Sequence, residues 1–255
     1  MRNFEALALV DRGANFYLHC IGDAAHMALD DNGLFETMRP NGDVNDLSSL
    51  FNLRLGALSD GELHRVIGEV RAKRIHTWWP LAASERVLSA LYPDGKRPVY
   101  AESDLETYAV MLPGELPAAI PPPSGFTVRI GDSLAAFSLW CELDNRLEHG
   151  GKRVFHPKNH LHLLDEGKMT CFLGFFKGEA VSTCAILSDG GAASLEFVST
   201  EPKFRRRGFA AALCDEALAY AFGRGASSVS VRAVGDGRFL GARLGFRYLT
   251  GGVGD

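Results

Sequence analysis

The chain has 255 residues, of which 46% are hydrophobic and 23% charged, and this composition is typical of a soluble globular protein. Its length allows one large domain or two small ones. The formal net charge of −4 argues against a general nucleic-acid binder, which usually carries a net basic face, and no apolar run approaches the ~20 residues that a membrane helix needs.

The cysteines and the N-terminus indicate the compartment. The chain has five cysteines, an odd number, and they are scattered without a C-x-x-C pair. A disulfide framework is therefore not expected. The acidic residue Glu5 lies close to the N-terminus, and the apolar run after it, 6–10, is short. This pattern is unlike that of a signal peptide. The sequence therefore predicts a cytoplasmic protein that associates with neither a membrane nor nucleic acid.

The first half of the chain gives weak structural signals and no chemical motif. The aromatic and β-prone segment 15–21 predicts a strand. Ser59, with Glu62 three residues later, forms a capping box and predicts the start of a helix. A further strand is expected over 108–112, just before the prolines begin.

A proline-rich stretch predicts the domain boundary. Five of the eleven prolines lie between positions 113 and 123, a composition that favours an extended, semi-rigid linker. We therefore expect an N-terminal domain of residues 1–115, a linker of residues 116–124 and a C-terminal domain of residues 125–255.

The second half contains a predicted antiparallel meander. Strands over 171–176, 180–187 and 193–200 are separated by glycine-containing turns. The preceding region, 143–170, is polar and irregular apart from a short helix expected over 160–166. It holds the densest group of histidines, His156, His160 and His162. Because no cysteine pair or glutamate accompanies these histidines at ligand spacing, a metal site is not predicted.

The strongest pattern begins with the last of these strands. Over residues 195–200, period-two alternation predicts that Glu196 and Val198 face one way and that Leu195 and Phe197 face the other.

Three arginines and a glycine follow that strand. Arg205–Arg207 precede Gly208, whose missing Cβ allows a tight turn and the close approach of a ligand, and an apolar helix is predicted over 210–223. The first N–H groups of a helix have no internal partner and favour anions. Three guanidinium groups beside them predict a phosphate site, although the chain carries neither a Walker loop nor G-x-G-x-x-G.

These residues resemble the pyrophosphate motif of the GNAT N-acetyltransferase superfamily, Arg/Gln-x-x-Gly-x-Gly/Ala, over positions 205–210. The strand 197–202 with its proline, the later strand 228–233 and the Leu-Gly-Phe ending at 244–246 are similar to the family in order and spacing. The resemblance is close over about 126–250. The first half resembles only loosely the degenerate half of tandem members.

The resemblance implies a fold of the α/β (α+β) class. Its sheet would be mixed and mostly antiparallel, and splayed between its fourth and fifth strands, with a smaller, truncated GNAT-like domain before it. It also implies binding of acetyl-CoA in the splay, with coenzyme A as the product. The residues that it assigns to the cofactor are Val198, Ser199 and Thr200 on the strand and Arg205, Arg206, Arg207, Gly208, Phe209 and Ala210 in the turn.

The resemblance further implies direct attack by an amine, without a protein nucleophile. A backbone N–H near Val198 would polarise the thioester carbonyl. Glu196 is the candidate general base, with a salt-bridged strand glutamate as the alternative. The tyrosine that often protonates the leaving thiolate is replaced by Gly241, so that Tyr248, a water molecule or an unprotonated thiolate remain as options.

The predicted function is thus acetyl transfer from acetyl-CoA to an amine of a small-molecule or peptide acceptor, with residues 143–170 over the acceptor pocket. The acceptor itself and the oligomeric state, a homodimer among the options, stay open. Two alternatives remain: a non-catalytic acyl-CoA sensor or scaffold, which the missing tyrosine favours, and a polyanion binder using Arg205–Arg207, which the acidic net charge opposes.

Overall fold

The computed structural model describes residues 1, 3–41, 48–94, 107–151 and 153–249, and the chain divides into two compact units, 1–105 and 106–255. The predicted strand before the prolines belongs to the second unit, because it pairs there with a strand near the C-terminus. The unit boundary therefore precedes the position expected from the prolines. Among the helices of the described ranges, none has both the length and the apolar character needed to cross a bilayer.

The described residues of the first unit form a four-stranded sheet and three α-helices. Its elements are α1 (Asn3–Gly22), β1 (Met27–Asp31), β2 (Glu36–Pro40), β3 (Ser49–Phe51), α2 (Asp60–Ala72), β4 (His76–Thr77) and α3 (Glu85–Leu91). The strand order is β1-β2-β3-β4, with only the β3–β4 pair parallel. The capping box is confirmed, since the Glu62 carboxylate accepts from the Ser59 backbone N–H at 2.9 Å at the start of α2.

The predicted strand at 15–21 is wrong, because this segment is the end of α1. Buried positions recur at helical spacing, at Ala6, Val10, Ala14 and Leu18, and this period starts before the aromatic run. Locally β-prone residues are therefore overridden by a stripe that is visible only over the whole helix.

In the second unit, the part of the chain that the structure describes forms a six-stranded mixed sheet and four α-helices. Its elements are β5 (Thr107–Met111), β6 (Phe126–Ile130), α4 (Leu134–Leu147), α5 (Pro157–Asp165), β7 (Met169–Phe176), β8 (Glu179–Asp189), β9 (Ala192–Thr200), α6 (Phe209–Gly223), β10 (Ser228–Ala233) and α7 (Gly237–Arg243). The strand order is β5-β10-β9-β8-β7-β6. The β7–β8–β9 meander is as predicted, and β9 with β10 is the one parallel pair among the described strands of this second sheet.

The sheet opens between β9 and β10, as the predicted fold class requires. These parallel strands pair only from Ala192 to Ser194, opposite Ser228 to Ser230. Beyond these residues the two strands do not pair with each other. β9 continues for six more residues, to Thr200, along this opening. The predicted fourth and fifth strands are therefore β9 and β10, and the splay between them is confirmed.

Helix α6 packs on this sheet and is apolar on almost all sides. Phe209, Leu213 and Leu218 lie in the core of the unit, and the proline-rich segment covers another side of the helix. Asp215, which falls outside the predicted apolar stripe, is nevertheless buried, because its carboxylate accepts from the backbone N–H of Ile120 at 2.9 Å. The predicted linker is thus fastened to the second unit.

Candidate functional site

A β-bulge marks the middle of β9. The register pairs Thr183 with Ser199 but Ala185 with Glu196, which leaves two residues of β9 opposite a single residue of β8. Phe197 takes up the extra length with a φ of +56°, in the left-handed region that non-glycine residues seldom adopt. Bulges redirect side chains, and this one lies in the strand whose other edge borders the splay.

The bulge changes which residues of β9 share a face. Leu195 and Val198 pack in the core that contains α6. Phe197 instead contacts the rings of Trp140 and Phe155, with centroid distances of 5.5 and 4.9 Å. The predicted alternation is therefore wrong: Leu195 and Phe197 face opposite ways, and Glu196 and Val198 do too, because one extra residue inverts the period of two.

Glu196 forms an ion pair across the mouth of the splay. Its carboxylate lies 3.1 Å from Nη2 of Arg232 on β10, just beyond the last paired residues of the two strands. The two side chains are only 8% and 15% exposed, so the pair is largely shielded from water. Proton uptake by Glu196 would remove the negative charge that faces Arg232, which weakens the case for this residue as a general base. Sequence reasoning missed Arg232, which looks like an ordinary strand residue.

The arginine turn is built as predicted and leads directly into α6. Gly208 is the N-cap of the helix with a φ of +84°, so glycine is needed for the backbone conformation as well as for access. Because glycine has no side chain, it leaves the first N–H groups of α6 uncapped and open to an anion. A Cβ built at Gly208 would lie 4.0 Å from Nη2 of Arg243 on α7, which adds a guanidinium that the sequence pattern did not assign.

The three arginines of the turn have different contacts. Arg205 donates from Nε to the carbonyl oxygen of Thr200 at 3.0 Å, and so ties the turn to the end of β9. Arg206 pairs with Asp236 at 3.0 and 3.1 Å. The third, Arg207, lies over the ring of Phe204. Part of this cationic set therefore stabilises the turn itself.

The C-terminal end of α4 lies beside the end of β9. The carboxylate of Glu148, the C-cap residue of α4, accepts a hydrogen bond from the Ser199 hydroxyl. Asn145 fastens the following loop, because its side chain accepts from the N–H groups of Val154 and Phe155 and donates to the carbonyl of Phe155. The loop thereby holds the Phe155 ring against β9 at the bulge.

The histidine-rich segment forms α5, in agreement with the short helix predicted over 160–166, and the helix begins three residues earlier. His160 is fully buried, and its Nδ1 accepts from the backbone N–H of His156 at 3.0 Å. Throughout the described ranges, no group of three or more His, Cys, Asp or Glu side chains is arranged to hold a metal ion.

Tyr248 occupies the space that a side chain at position 241 would need. A Cβ built on Gly241 would overlap the Tyr248 hydroxyl and lie 2.9 Å from its Cζ. That hydroxyl donates to the backbone carbonyl of Arg238 at 3.0 Å and lies 3.3 Å from that of Gly237, and burial raises the pKa of Tyr248. The replacement of tyrosine by glycine at 241 is therefore coupled to the packing of Tyr248 on α7.

This coupling predicts that Gly241→Ala destabilises the protein although alanine favours a helix. Overpacking against Tyr248 should lower the free energy of unfolding by about 2 kcal/mol, measured by denaturant unfolding. Gly223→Ala is the control, because nothing lies within 4 Å of a Cβ there. The double variant Gly241→Ala/Tyr248→Ala removes the overlap. If Gly241→Ala were as stable as Gly223→Ala, the proposed coupling would be disproved.

Comparison with known proteins agrees with this geometry. Residues 133–246 match the model of the Acetyltransferase (GNAT) family. A GCN5-related N-acetyltransferase from Kribbella flavida is similar in structure, with a TM-score of 0.64 and 17% identity over 94% of this chain and 91% of that one. One from Sphaerobacter thermophilus has a TM-score of 0.52 and 18% identity over 94% and 88%. A comparison with curated proteins found no match.

The matched segment contains α4, the meander, the bulged strand, the arginine turn and α7. The match covers most of the second unit and agrees with its mixed α+β fold. The chain contains a GNAT acetyltransferase domain over residues 133–246, and the structural likeness to the two solved structures covers 94% of the chain. That the first unit is a truncated GNAT-like domain remains a prediction.

Proposed function

We propose that the protein transfers an acetyl group from acetyl-CoA to an amine of a small-molecule or peptide acceptor. The observation that carries this proposal is the junction of two features: a splay that exposes one edge of a bulged strand, and an uncapped helix N-terminus at the end of that strand. The first feature suits an extended arm with amide groups, and the second suits a pyrophosphate.

The residues of this chain fit such a cofactor. Gly208 keeps the approach to the α6 N-terminus free of a Cβ, and Arg243 provides a cation beside it. We assign pyrophosphate binding to the turn 205–210, with Arg243 as an additional partner. We assign the pantetheine arm to the β9 backbone at Val198, Ser199 and Thr200. The Ser199 side chain is directed to Glu148, so its contribution to the cofactor would come from the backbone.

Bound acetyl-CoA would supply the thioester whose acetyl group is transferred. A backbone N–H near Val198 would stabilise the negative charge that develops on the carbonyl oxygen. Glu196, which the sequence predicts as the base, would keep Arg232 as its counter-ion, and the pair would set the charge at the mouth of the splay. The Tyr248 hydroxyl is engaged with backbone carbonyls, which favours protonation of the leaving thiolate by water.

A thermal-shift titration with acetyl-CoA, coenzyme A and ADP tests this proposal. A ligand at 100 times its dissociation constant adds ~2.7 kcal/mol, which for this chain length raises the midpoint by roughly a few degrees. We expect saturable shifts with acetyl-CoA and with coenzyme A. No shift at millimolar ligand would contradict cofactor binding.

An amine panel with thiol detection then separates the enzyme from the alternative function. Release of free coenzyme A that depends on the amine supports transfer. A cofactor shift without turnover across the panel would instead support a non-catalytic acyl-CoA sensor.

A further inference from the structure

Asp144 is a buried carboxylate whose surroundings provide little compensation for its charge. Its side chain is fully buried on the sheet side of α4. Among the described residues, neither carboxylate oxygen receives a hydrogen bond within normal distance, and Nε2 of the His149 imidazole lies 3.5 Å from Oδ2. Ionisable groups in apolar surroundings are costly, and they concentrate at functional sites.

The groups around Asp144 identify His149 as its partner. The titratable side chains that face the carboxylate are His149 and Glu148 at the end of α4, Cys141 one turn earlier, and Cys171 on β7. Burial raises the pKa of both thiols well above the ordinary range, so they are neutral and donate no positive charge. Burial also raises the pKa of Asp144, to about 6.

His149 lies at the junction of α4 and β9. The preceding residue, Glu148, binds the Ser199 hydroxyl, and Arg146 forms an ion pair with Glu201. This end of α4 therefore lies alongside the end of β9. Nε2 of the His149 ring is buried against Asp144, while the side chain as a whole is 19% exposed. The ring therefore has one nitrogen against a buried carboxylate and a partly exposed remainder, next to a residue that binds the end of β9.

We propose that His149 is the general base for the attacking amine and that Asp144 is its positioning residue. The proposal rests on the proposed function. With Nε2–H directed at Asp144, the neutral ring presents Nδ1 as the basic nitrogen. Nδ1 accepts the proton that a protonated amine must lose before its nitrogen can bond to the acetyl carbon. The second proton, which the nitrogen loses as the amide forms, passes through water to the leaving thiolate. The electron pair of the broken C–S bond leaves with sulfur, and His149 later releases the proton to solvent.

This assignment differs from the one made by sequence alone, and the ion pairs explain why. Glu196 is held by Arg232, and the Glu148 carboxylate is engaged by Ser199. His149 has a carboxylate behind it that stabilises the protonated ring, which is the arrangement that a base requires.

The first test needs no turnover. Side-chain ¹H–¹⁵N NMR of the histidines reports which ring nitrogen carries the proton in the neutral form. We expect Nε2–H at His149, with a change in its signal in Asp144→Asn. A neutral His149 ring protonated at Nδ1 would overturn the proposal, whether or not the protein proves to be an acetyltransferase.

The second test uses amines of different basicity. A primary alkylamine is protonated at pH 7 and needs a base, whereas hydroxylamine is already neutral. For His149→Gln we expect kcat/KM to fall by ~100-fold or more with the alkylamine and by less than about 5-fold with hydroxylamine. For Asp144→Asn we expect a smaller loss with the same selectivity, and an acid limb of the pH profile at lower pH.

The controls separate this proposal from its rivals. His64→Gln, on exposed α2, should leave both rates unchanged, and His149→Gln should keep the thermal shift with acetyl-CoA. An equal loss with both amines would indicate a structural role and overturn the proposal. A selective loss in Glu196→Gln, with none in His149→Gln, would return the base to Glu196. Absence of the thermal shift in the parent protein would instead contradict the proposed function.

Discussion

Replacing Gly208 by aspartate is expected to abolish acetyl-CoA binding while the protein stays folded. Gly208 caps α6, and its Cα is the point where the arginine turn meets the helix N-terminus. An aspartate there would place a carboxylate among the N–H groups and cations that the proposed function assigns to pyrophosphate. At a separation of 4 Å and an effective dielectric constant of 20, two like charges repel by about 4 kcal/mol.

That repulsion should weaken binding by well over ~100-fold, since each 1.4 kcal/mol is a factor of ten. The carboxylate would also cap the helix itself and take the position of the ligand. The measurement is a thermal-shift or calorimetric titration with acetyl-CoA, and the expected result is no saturable response at millimolar ligand.

Two variants isolate the charge from the backbone. Gly208→Asn has the size of the aspartate variant without its charge, and asparagine tolerates the left-handed conformation, so binding should fall by much less. Gly191→Asp introduces the same change at a turn with a φ of +92°, where nothing lies within 4 Å of a Cβ. If Gly208→Asp bound acetyl-CoA as tightly as Gly191→Asp, α6 would not be the pyrophosphate site.

Local sequence patterns were sufficient for part of this site. The meander 171–200, the arginine turn and the start of α6 follow from short-range signals: alternating hydrophobic residues, glycines at turns, and a helical apolar stripe. Gly208 could be singled out because its role depends on its own φ angle and on the helix that follows it.

Long-range partners determined the rest, and no local pattern reports them. Period-two alternation assigned the faces of β9 incorrectly, because the extra residue of the bulge is defined only by the register with β8. The ion pair of Glu196 joins residues 36 positions apart, and Gly241 is explained by a tyrosine that follows α7. Burial of the Asp144 carboxylate likewise depends on how α4 packs on the sheet.

Replacing Asp144 by asparagine is expected to make stability less sensitive to pH and to raise it at neutral pH. Burial raises the pKa of this carboxyl from an ordinary value of 3.8 to about 6 in the folded protein. Between these values the folded state binds more protons than the unfolded state, so stability falls as pH rises through this interval. At ~1.36 kcal/mol per pH unit, the interval corresponds to about 3 kcal/mol.

The stability difference between Asp144→Asn and the parent should therefore shift by about 3 kcal/mol in favour of the variant between pH 4 and pH 7. Hydrogen exchange of the α4 and β9 amides measures the stability of the second unit, which contains Asp144. Ser138→Ala, on the outer face of α4, changes no titratable group and should differ from the parent by the same amount at both pH values.

The same substitution separates a structural role from a functional one. If Asp144 only supported the fold, a more stable variant would keep its activity and its pH profile. If it positions His149, stability at pH 7 and the rate with a protonated amine should change in opposite directions, because the buried charge that destabilises the fold is the one that holds the base. If the stability difference between Asp144→Asn and the parent did not change with pH, the pKa of Asp144 would not be raised in the folded protein. The electrostatic basis for the pair of Asp144 and His149 would then be lost.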